Sequence, residues 1–341
     1  MRAVRIHRTG GPEVLELEEI DEPIPGRREL LVRVRATSVN HRDIWIRRGH
    51  PHPAYRVAMP AILGIDLSGD VVALGATVED FSEGDRVTVC PYLPCERCTF
   101  CRRARPQYCP NFDVYHGTYA DLAILPARAA LKVAPHVSDE ALASFSNSYV
   151  TAWQMLVGKA RVGPADTVFV WAGTSGLGYA AIEIARAAGA RVLASAGTQE
   201  KIAVLERRGV GLVVNHHEPG LVETVTEGTG GLGPTVVFEH VGRATWERSL
   251  TMAASGGTVV TAGATSGDEV SMDVTALFVK QLRILGSRLG TMDDALGALG
   301  HLEAGHFDPI VGAVVGLRDV ERAHRMLEEG SVVGKIVVKP T

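Results

Sequence analysis

Along Glu29 to Thr37, ELLVRVRAT, apolar and polar residues alternate at period two, with arginines on one side, the signature of a half-buried strand. Met1 to His7 and Val14 to Glu19 read the same way, as do Val71 to Leu74 and Gly84 to Val89. Pro23, Pro25 and Gly26 punctuate between them, so the first 130 residues predict strands and turns closing into a small, irregular β-barrel. The period then changes. Ser138 to Val157, SDEALASFSNSYVTAWQMLV, has helical spacing behind a Ser/Asp start with Glu140 close by, and predicts a helical crossover into a second domain.

Beyond it, continuous apolar runs alternate with helical segments. Val168 to Trp171 is a run of the kind buried on both faces of a parallel sheet. Gly173-Thr174-Ser175-Gly176-Leu177-Gly178 follows, then a helix from Tyr179 to Ala188 and a strand from Arg191 to Ala194. Strand-helix alternation continues through Lys201–Arg208, Leu212–Val214, Thr235–Phe238, Trp246–Ala254, Thr258–Ala262 and Ile284–Gly286, predicting a doubly wound parallel sheet. A helical segment, a break at Pro309-Ile310, a helix over 320–329 and a strand over 335–339 complete the chain, and this tail is expected to return to the first domain.

The glycine turn carries candidate chemistry. Small residues between a strand and a helix let backbone N–H groups approach a pyrophosphate, and the positive end of the helix dipole faces the same charge. The spacing G-x-x-G-x-G departs from the common G-x-G-x-x-G, so the flanking strand and helix carry the assignment. A second cluster is Cys95-x2-Cys98-x2-Cys101-x7-Cys109. Four thiolates so spaced can close a tetrahedron around one structural zinc, whereas cysteines three apart in a tight loop bridge poorly as disulfides. Cys90 lies outside the spacing and reads as a small core residue.

Length and charge narrow the classes. The 341 residues suit two domains, and 46% hydrophobic residues suffice for two cores. A net charge of -4 without basic blocks gives no reason to expect nucleic acid. No apolar run reaches the ~18 residues of a membrane span and the start lacks a secretory apolar core, so a cytoplasmic location with no membrane partner is expected.

Several stretches together are specific: GGPEVLEL, SVNHRDIWIRRG at 38–49, PAILGIDLSGDVVALG at 60–75, the cysteines, TAW at 151–153, AGTSGLG, VGRATWERSL at 241–250 and the final GKIVV. They resemble the medium-chain dehydrogenase/reductase superfamily, in its quinone oxidoreductase-like and zinc-binding alcohol dehydrogenase-like branch. The resemblance implies an α/β protein with a GroES-like catalytic domain (1–146 and 289–341, carrying the zinc loop) and a Rossmann domain (147–288). It further implies a nicotinamide cofactor, a small-molecule carbonyl substrate and assembly as homodimer or homotetramer.

Where zinc alcohol dehydrogenases of this superfamily hold a catalytic zinc, the chain has Asn40, Ile65 and Asn147. An aliphatic side chain and two amides are a poor zinc set, so the resemblance implies that the catalytic zinc is absent. Asp66 with His41, His50 or His52 is an alternative, rearranged metal site. Asn40 matches the active-site asparagine of quinone oxidoreductases, and the two amides are the catalytic candidates; His41 matches a position that meets the cofactor pyrophosphate. Gly173, Ser175, Gly176, Leu177 and Gly178 are expected at the cofactor. No Asp or Glu follows the second strand; Ser195-Ala196-Gly197-Thr198 stands there instead, and Lys201, with Ser195 and His216, is expected to meet a 2′-phosphate, favouring NADPH over NADH. The expected activity is hydride transfer to a quinone or enone without a catalytic zinc. The alternatives are an alcohol or ketone dehydrogenase, and a nucleotide-binding protein without turnover.

Overall fold

In the computed structural model, which describes residues 1–340, the alternation over 29–38 is realised. Leu30, Val32, Val34 and Ala36 are buried while Arg33 and Arg35 reach solvent. The chain divides into two compact units, Met1–Asn147 with Thr291–Thr341, and Ser148–Gly290.

The first unit contains β1 (Arg2–Ile6), β2 (Glu16–Glu19), β3 (Glu29–Ser38), α1 (His41–Arg48), β4 (Ala61–Ile62), β5 (Ser68–Leu74), β6 (Arg86–Val89) and β7 (Tyr92–Leu93). After these come α2 (Thr99–Arg102), β8 (Asp113–Val114), β9 (Leu122–Pro126), β10 (Ala130–Lys132) and α3 (Asp139–Ala143). β3 is the hub: it pairs antiparallel with β5, β9 and the last strand of the chain, with irregular register at Leu31/Val32 and Val34/Ala36 that bends it.

The second unit runs α4 (Ser148–Trp153), β11 (Thr167–Val170), α5 (Gly176–Ala187), β12 (Arg191–Ala196), α6 (Gln199–Arg207), β13 (Leu212–Asn215), α7 (Leu221–Gly228) and β14 (Val236–Glu239). It ends with α8 (Trp246–Met252), β15 (Thr258–Thr261), α9 (Val274–Val279) and β16 (Arg283–Gly286). Its six strands are all parallel in the order β13-β12-β11-β14-β15-β16, the doubly wound arrangement whose order reverses beside β11. Phe169, Trp171, Leu193, Val237 and Val259 pack in its core. The chain then returns to the first unit through α10 (Met292–Glu303), β17 (Val311–Gly316), α11 (Val320–Glu328) and β18 (Lys335–Lys339), with β18 beside β3.

Three elements differ from expectation. α1 lies inside the stretch read as strands and turns, and is started by reciprocal capping in which the Asp43 carboxylate accepts the Asn40 N–H at 2.9 Å. The helical stretch expected over 138–157 is divided into α3 and α4, and between them Asn147 turns its backbone N–H to the Asp66 carboxylate at 2.7 Å. The break at Pro309-Ile310 leads directly into β17, which pairs in parallel with β18. Among the described residues, no helix is long and apolar enough to cross a membrane.

Candidate active site

The end of β3, the start of α1 and the start of β18 bring four polar side chains together inside the first unit. Asn40 caps α1; Asp66 lies just before β5 and is fully buried. Asp66 Oδ2 accepts from Ser38 Oγ at 2.6 Å, from Asn40 Nδ2 at 2.8 Å and from Lys335 Nζ at 3.1 Å, and Oδ1 takes the Asn147 N–H. Lys335, only 6% exposed, also donates to Asn40 Oδ1 at 2.6 Å and to the Val39 carbonyl at 3.4 Å. This ammonium is the counter-charge of the buried carboxylate; it has three acceptors, and the carboxylate has four donors.

An ammonium only donates and a carboxylate only accepts, so standing on opposite sides of Asn40 they settle its amide orientation. Oδ1 faces Lys335 and Asn147 Nδ2 (2.8 Å); Nδ2 faces Asp66 and the Ser38 carbonyl at 3.3 Å. Both N–H groups of Asn40 are thereby spent inside the protein. Its expected role as a donor to substrate is corrected: Asn40 positions, and Asn147, half-buried with one N–H given to Asn40, retains the second. Lys335 was not singled out in the sequence, because nothing at position 335 distinguishes a buried lysine from a solvated one. The continuous apolar run Ile336–Val338 beside it, buried throughout, was the available signal.

The residues here do not fit a catalytic metal. Ile65 is fully buried and aliphatic, and both Asp66 oxygens are already engaged within the protein, Oδ2 by three donors and Oδ1 by the Asn147 N–H. The clusters of three or more potential ligands among the described residues do not include Asp66 or His41. His50 and His52 sit instead against Tyr55, with ring centroids 4.8 and 6.2 Å away.

The cysteine loop fits a metal well. The thiol sulfurs of Cys95, Cys98, Cys101 and Cys109 lie within 4.8 Å of one another, Cys98 to Cys101 at 3.5 Å and Cys98 to Cys109 at 3.8 Å. Zinc at ~2.3 Å from each would separate tetrahedral thiolates by roughly 3.8 Å. Backbone N–H groups of Arg97 and Cys98 pull the Cys95 thiol down to about 6, which prepares a thiolate, whereas burial beside the other sulfurs pushes Cys101 up. Cys90 stands apart, buried, its thiol pushed up to about 12 by that burial, as a core residue should be.

In the second unit the glycine turn links β11 to α5. A Cβ on Gly178 would lie 2.4 Å from the Ala172 carbonyl, so only glycine fits. Ser175 caps α5, its Oγ accepting the Gly178 N–H at 3.0 Å, which leaves the first-turn N–H groups of Gly176 and Leu177 for an anion. Gly173 approaches closely too: its Cβ would meet Ala194, Ile182 and Leu205 at 3.0 Å.

At the end of β12 two expectations change. Ser195 is fully buried; its Oγ accepts the Ala172 N–H at 3.2 Å and its carbonyl the Gly173 N–H at 2.8 Å, so it shapes the glycine turn instead of presenting a hydroxyl to a 2′-phosphate. His216 is pushed down to about 4 by burial and by the nearby His217, Arg248 and Lys201, so at neutral pH it brings no positive charge. Lys201 remains, half-buried in the first turn of α6, whose cap Thr198 accepts the Lys201 N–H at 3.3 Å.

Residues 26–135 match the alcohol dehydrogenase GroES-like domain and residues 176–303 the zinc-binding dehydrogenase family. A solved structure described as an NAD-dependent alcohol dehydrogenase is 38% identical, with all of both chains covered and a TM-score of 0.95. The quinone oxidoreductase of Pongo abelii is 28% identical over 99% of this chain and 97% of its own. The acryloyl-coenzyme A reductase of Metallosphaera sedula is 27% identical over 99% of each. The two-part architecture, the glycine turn and these similarities together show that the chain belongs to the medium-chain dehydrogenase/reductase superfamily and is an oxidoreductase of its NAD(P)H-using kind.

Proposed function

We propose that this oxidoreductase reduces conjugated carbonyl compounds, quinones or enones, with NADPH preferred, holding one structural zinc at Cys95, Cys98, Cys101 and Cys109 and no catalytic zinc. The observation that carries the reading is the closed set around Asp66, in which Lys335 supplies the positive charge that a metal would otherwise bring. The bound nucleotide supplies hydride. Hydride addition to a simple ketone concentrates charge on one oxygen, which calls for a strong donor or Lewis acid. A conjugated acceptor spreads that charge over an enolate or hydroquinone-like system, and a neutral amide donor such as the second N–H of Asn147 then suffices. Asn40 and Lys335 hold that amide in place from behind. The relatives named for quinone and for acryloyl-coenzyme A reduction support the same class of acceptor. Gly173, Ser175, Gly176, Leu177 and Gly178 would hold the pyrophosphate and Lys201 the 2′-phosphate; assembly is as a homodimer or homotetramer.

The test is a panel of quinones, enones, simple ketones and alcohols, run on metal-analysed protein with both nucleotides. Quinones or enones should turn over, and Asn147→Ala should lower the rate at saturating substrate about tenfold to a hundredfold with little change in nucleotide affinity. The similarity to an alcohol dehydrogenase supports a second reading, alcohol or ketone dehydrogenation. Efficient oxidation of simple alcohols with quinones and enones untouched would establish that reading instead.

A further inference from the structure

A cavity of ≈ 290 Å³ opens in the first unit beside α1, lined by Arg42, Pro53, Arg56, Phe112, Asp113 and His116 among others. Two guanidinium groups face one carboxylate in the lining, beside the His116 imidazole, so the arginines outnumber the acidic groups. No ion pair joins Arg42 or Arg56 to a carboxylate within 4.0 Å among the described residues. Arg42 is half-buried, its guanidinium 5.4 Å above the Tyr55 ring, and its Nε is buried without a hydrogen-bond partner. Asp113 is exposed and its Oδ1 is taken by the Val114 N–H at 2.7 Å. Among the described residues, Arg56 reaches only the Pro51 carbonyl, at 3.4 Å. A partly buried guanidinium with hydrogen-bonding capacity that the protein leaves unmet is costly unless something completes it.

We propose that this cavity is an oxyanion subsite, in which Arg42 and Arg56 take a carboxylate or phosphate group carried by the substrate. Guanidinium groups match both anions with paired N–H donors, and the Tyr55 ring 5.4 Å from the Arg42 guanidinium gives that group a cation–π contact. Arg42 follows Asn40 by two positions on the first turn of α1, so the subsite and the amide cluster are positioned by the same helix start. The substrate class is thereby narrowed to conjugated carbonyls bearing an anionic group; this rests on the function proposed above.

Three acceptors separate the possibilities: a neutral enone, the same enone bearing a carboxylate, and an enoyl thioester of coenzyme A. The protein should favour one or both anionic acceptors over the neutral one by about tenfold or more in kcat/KM, mainly through KM. Preference for the carboxylate alone identifies a carboxylate ligand, and for the thioester alone a phosphate. Arg42→Met should erase most of that preference, lowering kcat/KM for the anionic acceptor several-fold more than for the neutral one. Arg56→Met, at an exposed position, should do so more weakly without a folding risk. Titration with inorganic phosphate and with succinate, without nucleotide, gives a readout independent of turnover. If no conjugated carbonyl is reduced yet anion binding is weakened by Arg42→Met, the proposed reaction fails and the subsite stands. If conjugated carbonyls are reduced with no preference for anionic ones, or if both arginine variants affect all acceptors alike, the subsite is overturned.

Discussion

The cysteine loop and the Asp66 cluster are two sites in the same unit that solve one problem differently. Each gathers groups that carry negative charge. At the loop, four sulfurs converge within 4.8 Å, a donor set suited to a cation taken from solution. At Asp66 the cation is built in, since Lys335 Nζ lies 3.1 Å from the carboxylate, which also accepts from Ser38, Asn40 and Asn147. A third treatment of charge appears below α1, where His324 is fully buried and pushed down to about 3, chiefly by burial, and so stays neutral. The comparison separates two ways of meeting negative charge: thiolates that leave the cation to be supplied, and a carboxylate paired with an ammonium of the same chain.

The largest effect should come from the loop. Removing zinc with a strong chelator, or replacing Cys98 by Ser, should unfold residues 95–109 locally, read as loss of hydrogen-exchange protection there and of one zinc per chain by metal analysis. Two zincs per chain, or turnover lost at once under mild chelation, would break the contrast between the sites.

Next comes the ion pair. Lys335→Met or Asp66→Leu leaves one charge buried alone and should cost about 3 to 5 kcal/mol in urea denaturation, whereas the double substitution should cost clearly less than the sum. Additive losses would show that the two groups do not compensate each other.

The third concerns pH. A histidine whose folded pKa lies below its unfolded value stabilises above about pH 6.5, and that contribution is lost as pH falls toward 3. Unfolding free energy should therefore fall by up to about 1.4 kcal/mol per pH unit from this group alone over that window. In His324→Phe the slope should be shallower by that amount; an unchanged slope would mean the imidazole is already charged in the folded state.

The smallest effect sharpens the same idea at the nucleotide. With His216 neutral, Lys201 is the charge expected at the 2′-phosphate, and Lys201→Ala should weaken NADPH binding by about 1.5 to 3 kcal/mol while leaving NADH nearly unchanged. Equal affinity for the two nucleotides in the unaltered protein would remove the premise.

What the sequence by itself determined are the features whose partners are close along the chain. The parallel strands announce themselves as apolar runs, the glycine turn follows from β11 and precedes α5, and the four cysteines fall within fifteen residues of one another, so local spacing suffices. Only the tertiary structure decided the rest. Lys335 meets Asn40 and Asp66 across separations of 295 and 269 residues, Asn147 meets Asn40 across 107, and Ser195 is drawn under the glycine turn by Ala172, 23 residues before it. Such partners depend on which strand lies beside which, and β18 reaches β3 only through the return of the chain after α10. A lysine, an aspartate and two asparagines keep the same identities wherever they lie; burial together is what turned separate polar residues into a closed charge pair with a single amide N–H left to spare.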